Sequence, residues 1–196
     1  MTDFIKPFGP NHWLYIGIVI MVGFLLFTNI PFVRKHRDQI SMMVLIISII
    51  QQCILYGYYL LFFKFDLSES LPLHISRINS ILGIVYLATK SKLVIRVLSF
   101  TGAFALLSFL YPSRVQSITH PLGISFLVNH IITLLLPVFA MVVYDFRIQK
   151  ADKQSPFILM MVYMMLVYVI NPIVNGNYFY LSRIVAMSFC EPRSCL

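Results

Sequence analysis

Two side chains suited to holding an anion, His74 and Arg77, stand three residues apart in the stretch Leu71-Pro72-Leu73-His74-Ile75-Ser76-Arg77-Ile78. Residues at that spacing share one face of a helix, and a guanidinium presents a planar fork that matches the oxygens of a phosphate. Ser76, Asn79 and Ser80 fall on an adjoining face, with Gly83 a turn further on. Polar groups interrupt other apolar stretches too: Gln51 and Gln52, the pair Asn129 and His130, and Asn171, Asn175 and Asn177. A lone Asn, Gln or Ser in such a stretch is ordinarily interhelical glue, worth about 0.6 kcal/mol per contact in a membrane. Arg77 is different. No Asp or Glu lies inside the apolar run that carries it, and Asp145 falls at the opposite end of its own run. An intramembrane arginine needs a partner, so the sequence predicts an anionic ligand such as a lipid phosphate.

Those residues must be positioned by helices that cross a bilayer. The chain has 196 residues, 59% hydrophobic and 11% charged, against roughly 25% charged in a soluble domain. Its mean hydropathy is +0.85. The apolar residues gather into six runs, 13–33, 40–63, 71–89, 93–111, 121–144 and 156–175. Each is near the roughly 20 residues that span a hydrocarbon core. The predicted fold is all-α: a polytopic transmembrane bundle of about six spans in one integral membrane domain. Short connections make sequential helices antiparallel neighbours. Pro72 is expected in the first turn of the third helix, where a missing N–H costs nothing. Pro137 and Pro172 fall inside the fifth and sixth, where freed carbonyls can border a cavity. The chain carries no P-loop, zinc-finger spacing or RNA-binding motif, so neither a cofactor nor a nucleic-acid partner is expected.

The net charge of +8 is unevenly placed. Arg34, Lys35 and Arg37 fall in the first loop, Lys90 and Lys92 in the third, and Arg147, Lys150 and Lys153 in the fifth. The N-terminal segment has Lys6, and the remaining loops have Lys64 and Arg114. The positive-inside rule then predicts a multi-pass protein of the cell membrane with its N-terminus outside. In that orientation His74 to Ser80 and Asn171 to Asn177 lie in the outer half. His130, about 14 Å below Pro121, lies near the middle with Gln51 and Gln52. Polar groups at matching depths predict an outward-facing intramembrane polar cavity. Arg96, near the cytoplasmic side, is expected to snorkel to the interface. Tyr56, Tyr58 and Tyr59, with Tyr178, Phe179 and Tyr180, read as an interfacial aromatic belt.

Cys53, Cys190 and Cys195 form no CxxC pair, so no metal site is expected. The last two could form a disulfide in an oxidising compartment. The first apolar run is longer than a signal-peptide core and no small-residue cleavage pattern follows it, so it reads as a span. Residues 177–190, interrupted by Arg183, read as a half-span, an interfacial helix or the start of a seventh span.

The block Leu71-Pro72-Leu73-His74, the pair Asn129-His130 and the run Asn175-Gly176-Asn177-Tyr178-Phe179-Tyr180-Leu181, in that order, resemble the YwaF-like family of bacterial integral membrane proteins. A relative of that family, transmembrane protein 164, is an acyltransferase that remodels ether phospholipids. The resemblance runs from the third span onward. It implies a nucleophile one residue beyond the Leu-Pro-Leu-His block, where the family pattern has cysteine and this chain has Ser76. A buried serine needs an activating base. His130 is the candidate, because His74 points elsewhere from Ser76's own helix. Ser76 and His130 are therefore the expected catalytic pair. His74, Arg77, Asn79, Asn129, Asn171, Asn175 and Asn177 are expected to bind the phospholipid. Two other functions fit the same residues. One is a non-enzymatic lipid or small-solute binding or transport component that works with a protein partner. The other is a structural membrane protein with its polar groups as glue. Membrane lipids are the expected partners throughout.

Overall fold

The structure, a computed structural model, describes residues 4–147 and 154–181. Among these, seven α-helices follow one another: α1 (Pro10–Thr28), α2 (Ile30–Lys35), α3 (Arg37–Phe62), α4 (Ile75–Thr89), α5 (Lys92–Leu110), α6 (Pro121–Val143) and α7 (Gln154–Ile173). A short 3-10 turn follows at Tyr178–Tyr180. Helices α1, α3, α5, α6 and α7 are each long and apolar enough to cross a membrane, while α4 is apolar but shorter. The all-α polytopic bundle predicted from the apolar runs is the fold observed.

Two runs differ from expectation. The first is broken, because Asn29 leaves helical geometry between α1 and α2. Pro31 follows two residues on, and without an N–H it cannot carry the hydrogen-bond ladder onward from α1. The third run starts late. His74 is extended and caps α4, so Leu71, Pro72 and Leu73 form a turn ahead of the helix. Pro72 therefore precedes the helix and does not occupy its first turn. The carbonyls of Leu71 and Leu73 accept hydrogen bonds from the side chains of Arg77 and Tyr163, which draws them off any helical ladder.

Helix α6 is the central post. It packs against α1, α2, α3, α4 and α5, and buries both polar residues such as Asn129 and His130 and apolar ones such as Leu136 and Phe139. Helix α7 packs on α5. Helices α1, α3 and α7 turn apolar side chains outward, including Phe24, Met42, Ile46 and Met165, as a lipid-facing surface requires. The six helices other than α2 alternate in direction, so the loops gather at two ends. One end, the loop end, holds the N-terminal segment, 63–74, 111–120 and 174–181. The other, the cation end, holds 29–36, 90–91 and 144–147. The second is held by Arg34, which donates to the Val142 carbonyl and pairs with Asp145 at 2.8 Å. The proposed Cys190–Cys195 pairing, Lys150, Lys153 and residues 182–190 lie outside the described residues.

Candidate functional site

The start of α4 is the most unusual local feature of the bundle. Its 15 residues rise about 22 Å, short of a hydrocarbon core of about 30 Å, whereas the 26 residues of α3 rise about 39 Å. A helix that starts late at the loop end leaves its first turn below the level its neighbours reach. The first N–H groups of any helix lack intrahelical acceptors, and that terminus carries a partial positive charge. Ser76 is the second residue of this turn. Its backbone carbonyl accepts from Asn129 Nδ2 at 3.1 Å, which ties α4 to α6 at this height. His74, whose side chain makes no capping bond, sets its ring edge-on to Tyr178 at 4.9 Å.

The loop before α4 is held down from four sides. Arg77 Nη1 donates to the carbonyls of Glu69 and Leu71, at 2.6 and 3.0 Å. Its Nη2 donates to the Tyr59 hydroxyl, and the guanidinium lies over the Tyr59 ring. Arg77 thus has protein acceptors and does not require the anionic ligand expected of it. The Tyr178 hydroxyl donates to Leu67 O at 2.6 Å and accepts from Leu71 N–H at 3.0 Å. Tyr163 donates to Leu73 O. Glu69 pairs with Arg114 of the α5–α6 loop at 3.2 Å. Asp66 Oδ1 accepts from Ser68 N–H at 2.9 Å, and the Ser68 backbone and hydroxyl hold its carboxyl below the usual value.

Tyr178 reaches the loop because Asn171 fixes the chain after α7. Asn171 Nδ2 donates to Tyr178 O at 3.0 Å, and Tyr178 N–H donates to Asn171 Oδ1 at 2.9 Å. At Gly176 a Cβ would meet the Tyr178 ring at 2.9 Å and Ser68 O at 3.1 Å, so the turn needs glycine there. Tyr178 is fully buried, which removes it from the aromatic belt the sequence predicted. The Asn-Gly-Asn signal before it, a turn-forming composition, was the clue that the chain folds back into the bundle. Asn175 is exposed with φ 52°, and Asn177 is half-buried ahead of the 3-10 turn.

The other polar residues form seams between helices. Gln51 Nε2 donates to Ser125 Oγ at 2.6 Å, Gln52 Nε2 donates to Gln51 Oε1 at 2.7 Å and to Ser80 Oγ at 2.6 Å, so α3, α4 and α6 share one network. Asn79 Oδ1 accepts from Thr101 on α5 at 2.6 Å. Asn129 also accepts from Thr133 at 3.2 Å. His130 is turned toward α5, about 100° around α6 from Asn129. Its Nδ1–H donates to Phe126 O at 2.8 Å, and its Nε2 faces Ser108 Oγ at 3.4 Å, with the rings of Phe109 and Phe126 alongside. The fold thus brings Asn129 to Ser76, Arg77 to the loop and Asn171 to Tyr178, while the nitrogens of His130 meet Phe126 and Ser108. Among the described residues no three His, Cys, Asp or Glu side chains cluster as metal ligands.

A multi-pass helical bundle with one short helix, its start covered by hydrogen-bonded loops, defines the class: a polytopic integral membrane protein built around an interrupted span. Within that class the chain belongs to the TMEM164 family, which it matches over residues 7–189. No curated protein and no solved structure matches it.

Proposed function

We propose that the protein transfers an acyl chain between membrane phospholipids at the first turn of α4. The observation that supports this most is the placement of Ser76 in the first turn of a helix shorter than the spanning helices around it. There the helix dipole, and the N–H groups of Ile75 and Ser76 that precede the first ladder bonds from Arg77 and Ile78 to His74 O, favour a developing oxyanion. In this reading Ser76 Oγ attacks an ester carbonyl of the donor phospholipid and passes its proton to His130. The carbonyl re-forms as the ester C–O bond breaks, and a lysophospholipid leaves with that proton. The hydroxyl of a second lysophospholipid then attacks the acyl-serine, forms the new ester and returns the proton to Ser76. Phe126 O fixes the Nδ1–H tautomer of His130, which leaves Nε2 as the basic nitrogen. To reach Ser76 it must give up the long contact with Ser108.

Asn129 positions Ser76, and Arg77, Asn79 and Asn171 hold the surrounding backbone and seams. His74 and Asn177 border the covered loop, and Asn175 lies at its exposed edge. The cation-rich end faces the cytoplasm, so the N-terminus and the site face outward in a cell membrane. A second reading, lipid binding without turnover, is favoured by one observation: the nitrogens of His130 meet Phe126 O and Ser108 Oγ, not Ser76. The two separate in vesicles that hold an isotopically labelled diacyl donor and an unlabelled lysophospholipid. Mass spectrometry of the lipids should show labelled acyl chains on the acceptor with the full chain, and none with Ser76→Ala or His130→Ala. Retained transfer in Ser76→Ala would overturn the assignment. No transfer with the full chain, accompanied by lipid-dependent thermal stabilisation, would establish the binding reading.

A further inference from the structure

The α3–α4 seam holds two polar atoms that the network described above leaves over. Gln52 Oε1 and the Tyr56 hydroxyl are both buried, and neither has a hydrogen-bond partner among the described residues. They sit four residues apart, so they share one face of α3 a turn from each other.

The orientation of Gln52 follows from its neighbours. Ser125 O is a carbonyl and can only accept, so Gln51 must turn its Nε2 to Ser125 and its Oε1 to Gln52. Gln52 must then present Nε2 to that oxygen, at 2.7 Å. Swapping the Gln52 amide would set two acceptors against each other. Gln52 Oε1 is thereby fixed as a free acceptor, and whatever meets it must donate.

The same network sets the height. Gln52 Nε2 reaches Ser80 Oγ at 2.6 Å, and α3 and α4 run antiparallel. One turn toward the loop end from that bond, Tyr56 on α3 is level with Ser76 on α4. Arg77 and Tyr59, joined by a hydrogen bond, confirm that the helices face each other there. The Tyr56 hydroxyl lies within electrostatic reach of the Arg77 guanidinium.

A free acceptor and a free hydroxyl at adjacent turns, level with the candidate nucleophile, match a ligand group that both donates and accepts. An alcohol does this, whereas an ester or a phosphodiester only accepts. We propose that Gln52 and Tyr56 form the subsite that holds the free glycerol hydroxyl of the acyl acceptor. Gln52 Oε1 accepts from that hydroxyl and the Tyr56 hydroxyl donates to it. Both are positioning residues, and the assignment of an acyl acceptor rests on the acyl-transfer reading.

The test measures binding, so it does not depend on turnover. The full chain carrying Ser76→Ala is placed in nanodiscs and titrated with a lysophospholipid, or with its deoxy analogue that lacks the free glycerol hydroxyl. Thermal unfolding reports occupancy. The lysophospholipid should bind about tenfold more tightly than the deoxy analogue, as expected for buried polar groups that lose their partner. Adding Tyr56→Phe, which removes only the hydroxyl, should bring the lysophospholipid down to the level of the analogue. Equal binding of the two lipids, or a preference that survives Tyr56→Phe, overturns the subsite. Acyl transfer by the full chain with no hydroxyl preference in binding would leave the function standing and remove the subsite. A preference abolished by Tyr56→Phe, with no transfer by the full chain, would keep the subsite for a hydroxyl-bearing lipid and remove the transfer.

Discussion

The two ends of the bundle solve the problem of closing a helical membrane protein differently. The cation end is closed by short connections and exposed charge: the Arg34–Asp145 pair is 49% and 73% exposed, and Tyr144 reaches Ser41 at 2.9 Å. The loop end adds to one exposed pair, Glu69 with Arg114, a set of polar side-chain contacts to backbone that are mostly buried or half-buried. Tyr15 donates to Gln116 O, His12 meets Phe8 N–H and Phe109 O, Tyr178 holds Leu67 and Leu71, and Arg77 holds Glu69 and Leu71. Backbone conformation follows the same division. Of the non-glycine residues with positive φ, Phe8, Lys64, Phe65, Arg114, Asn175 and Phe179 lie at the loop end and Lys90 and Asp145 at the other. Bulky residues take that conformation at a cost that surrounding contacts must offset. The lesson is that one end is joined for topology and the other is built to hold an irregular backbone around the start of α4.

That difference can be broken at defined points. The largest effect is expected from Gly123→Ala. A Cβ there would sit 1.9 Å from Ser117 O, so the α5–α6 loop must move, and thermal unfolding in detergent should show a loss of about 3 kcal/mol or more. Asn171→Ala comes next. It strips partners from both backbone groups of Tyr178 and should cost about 2–4 kcal/mol by the same measurement, with proteolysis appearing first in the 63–74 loop. The cation end should respond far less. Arg34→Ala removes an exposed pair and should cost at most about 1 kcal/mol, shrinking further in high salt. If Arg34→Ala proved as damaging as Asn171→Ala, the contrast between the ends would fail.

The smallest effect is a pH dependence. The Asp66 carboxyl is held below its unfolded value by Ser68, so its contribution is complete above the unfolded value near 4. It is lost as pH falls through the lower, folded value. An acid unfolding series should show that loss in the wild type and a flatter profile in Asp66→Asn.

The contrast also explains what could be read from the sequence. The apolar runs match the order of the helices, and five of the six hold a helix long enough to cross a membrane while the third holds a shorter one, because hydrophobic length is a one-dimensional property. Cation counts marked the right loops as alike, since Arg34 and Lys90 do gather at one end. The polar residues of the spans were picked out, yet their partners were not. Whether Arg77 meets a ligand or a carbonyl depends on where 66–73 folds, and that loop has no periodicity to read. Tyr178 was missed for the same reason: its burial is set by the turn at Asn175 and Gly176 and by Asn171 on the preceding helix. The mismatch between the 71–89 run and the helix that starts at Ile75 arises because Leu71 and Leu73 are apolar in side chain but give their carbonyls to Arg77 and Tyr163.

The acyl-transfer reading requires Ser76, at the start of α4, to carry an acyl group. Ser76→Cys tests it most directly, because a thioester is cleaved by neutral hydroxylamine and a serine ester resists it. The variant is incubated with diacyl phospholipid vesicles and its mass is read intact and after digestion. One added acyl chain is expected on the peptide that contains residue 76, released by neutral hydroxylamine and missing from Ser76→Ala. Acyl transfer by the wild type with no adduct at residue 76 in either protein would contradict it.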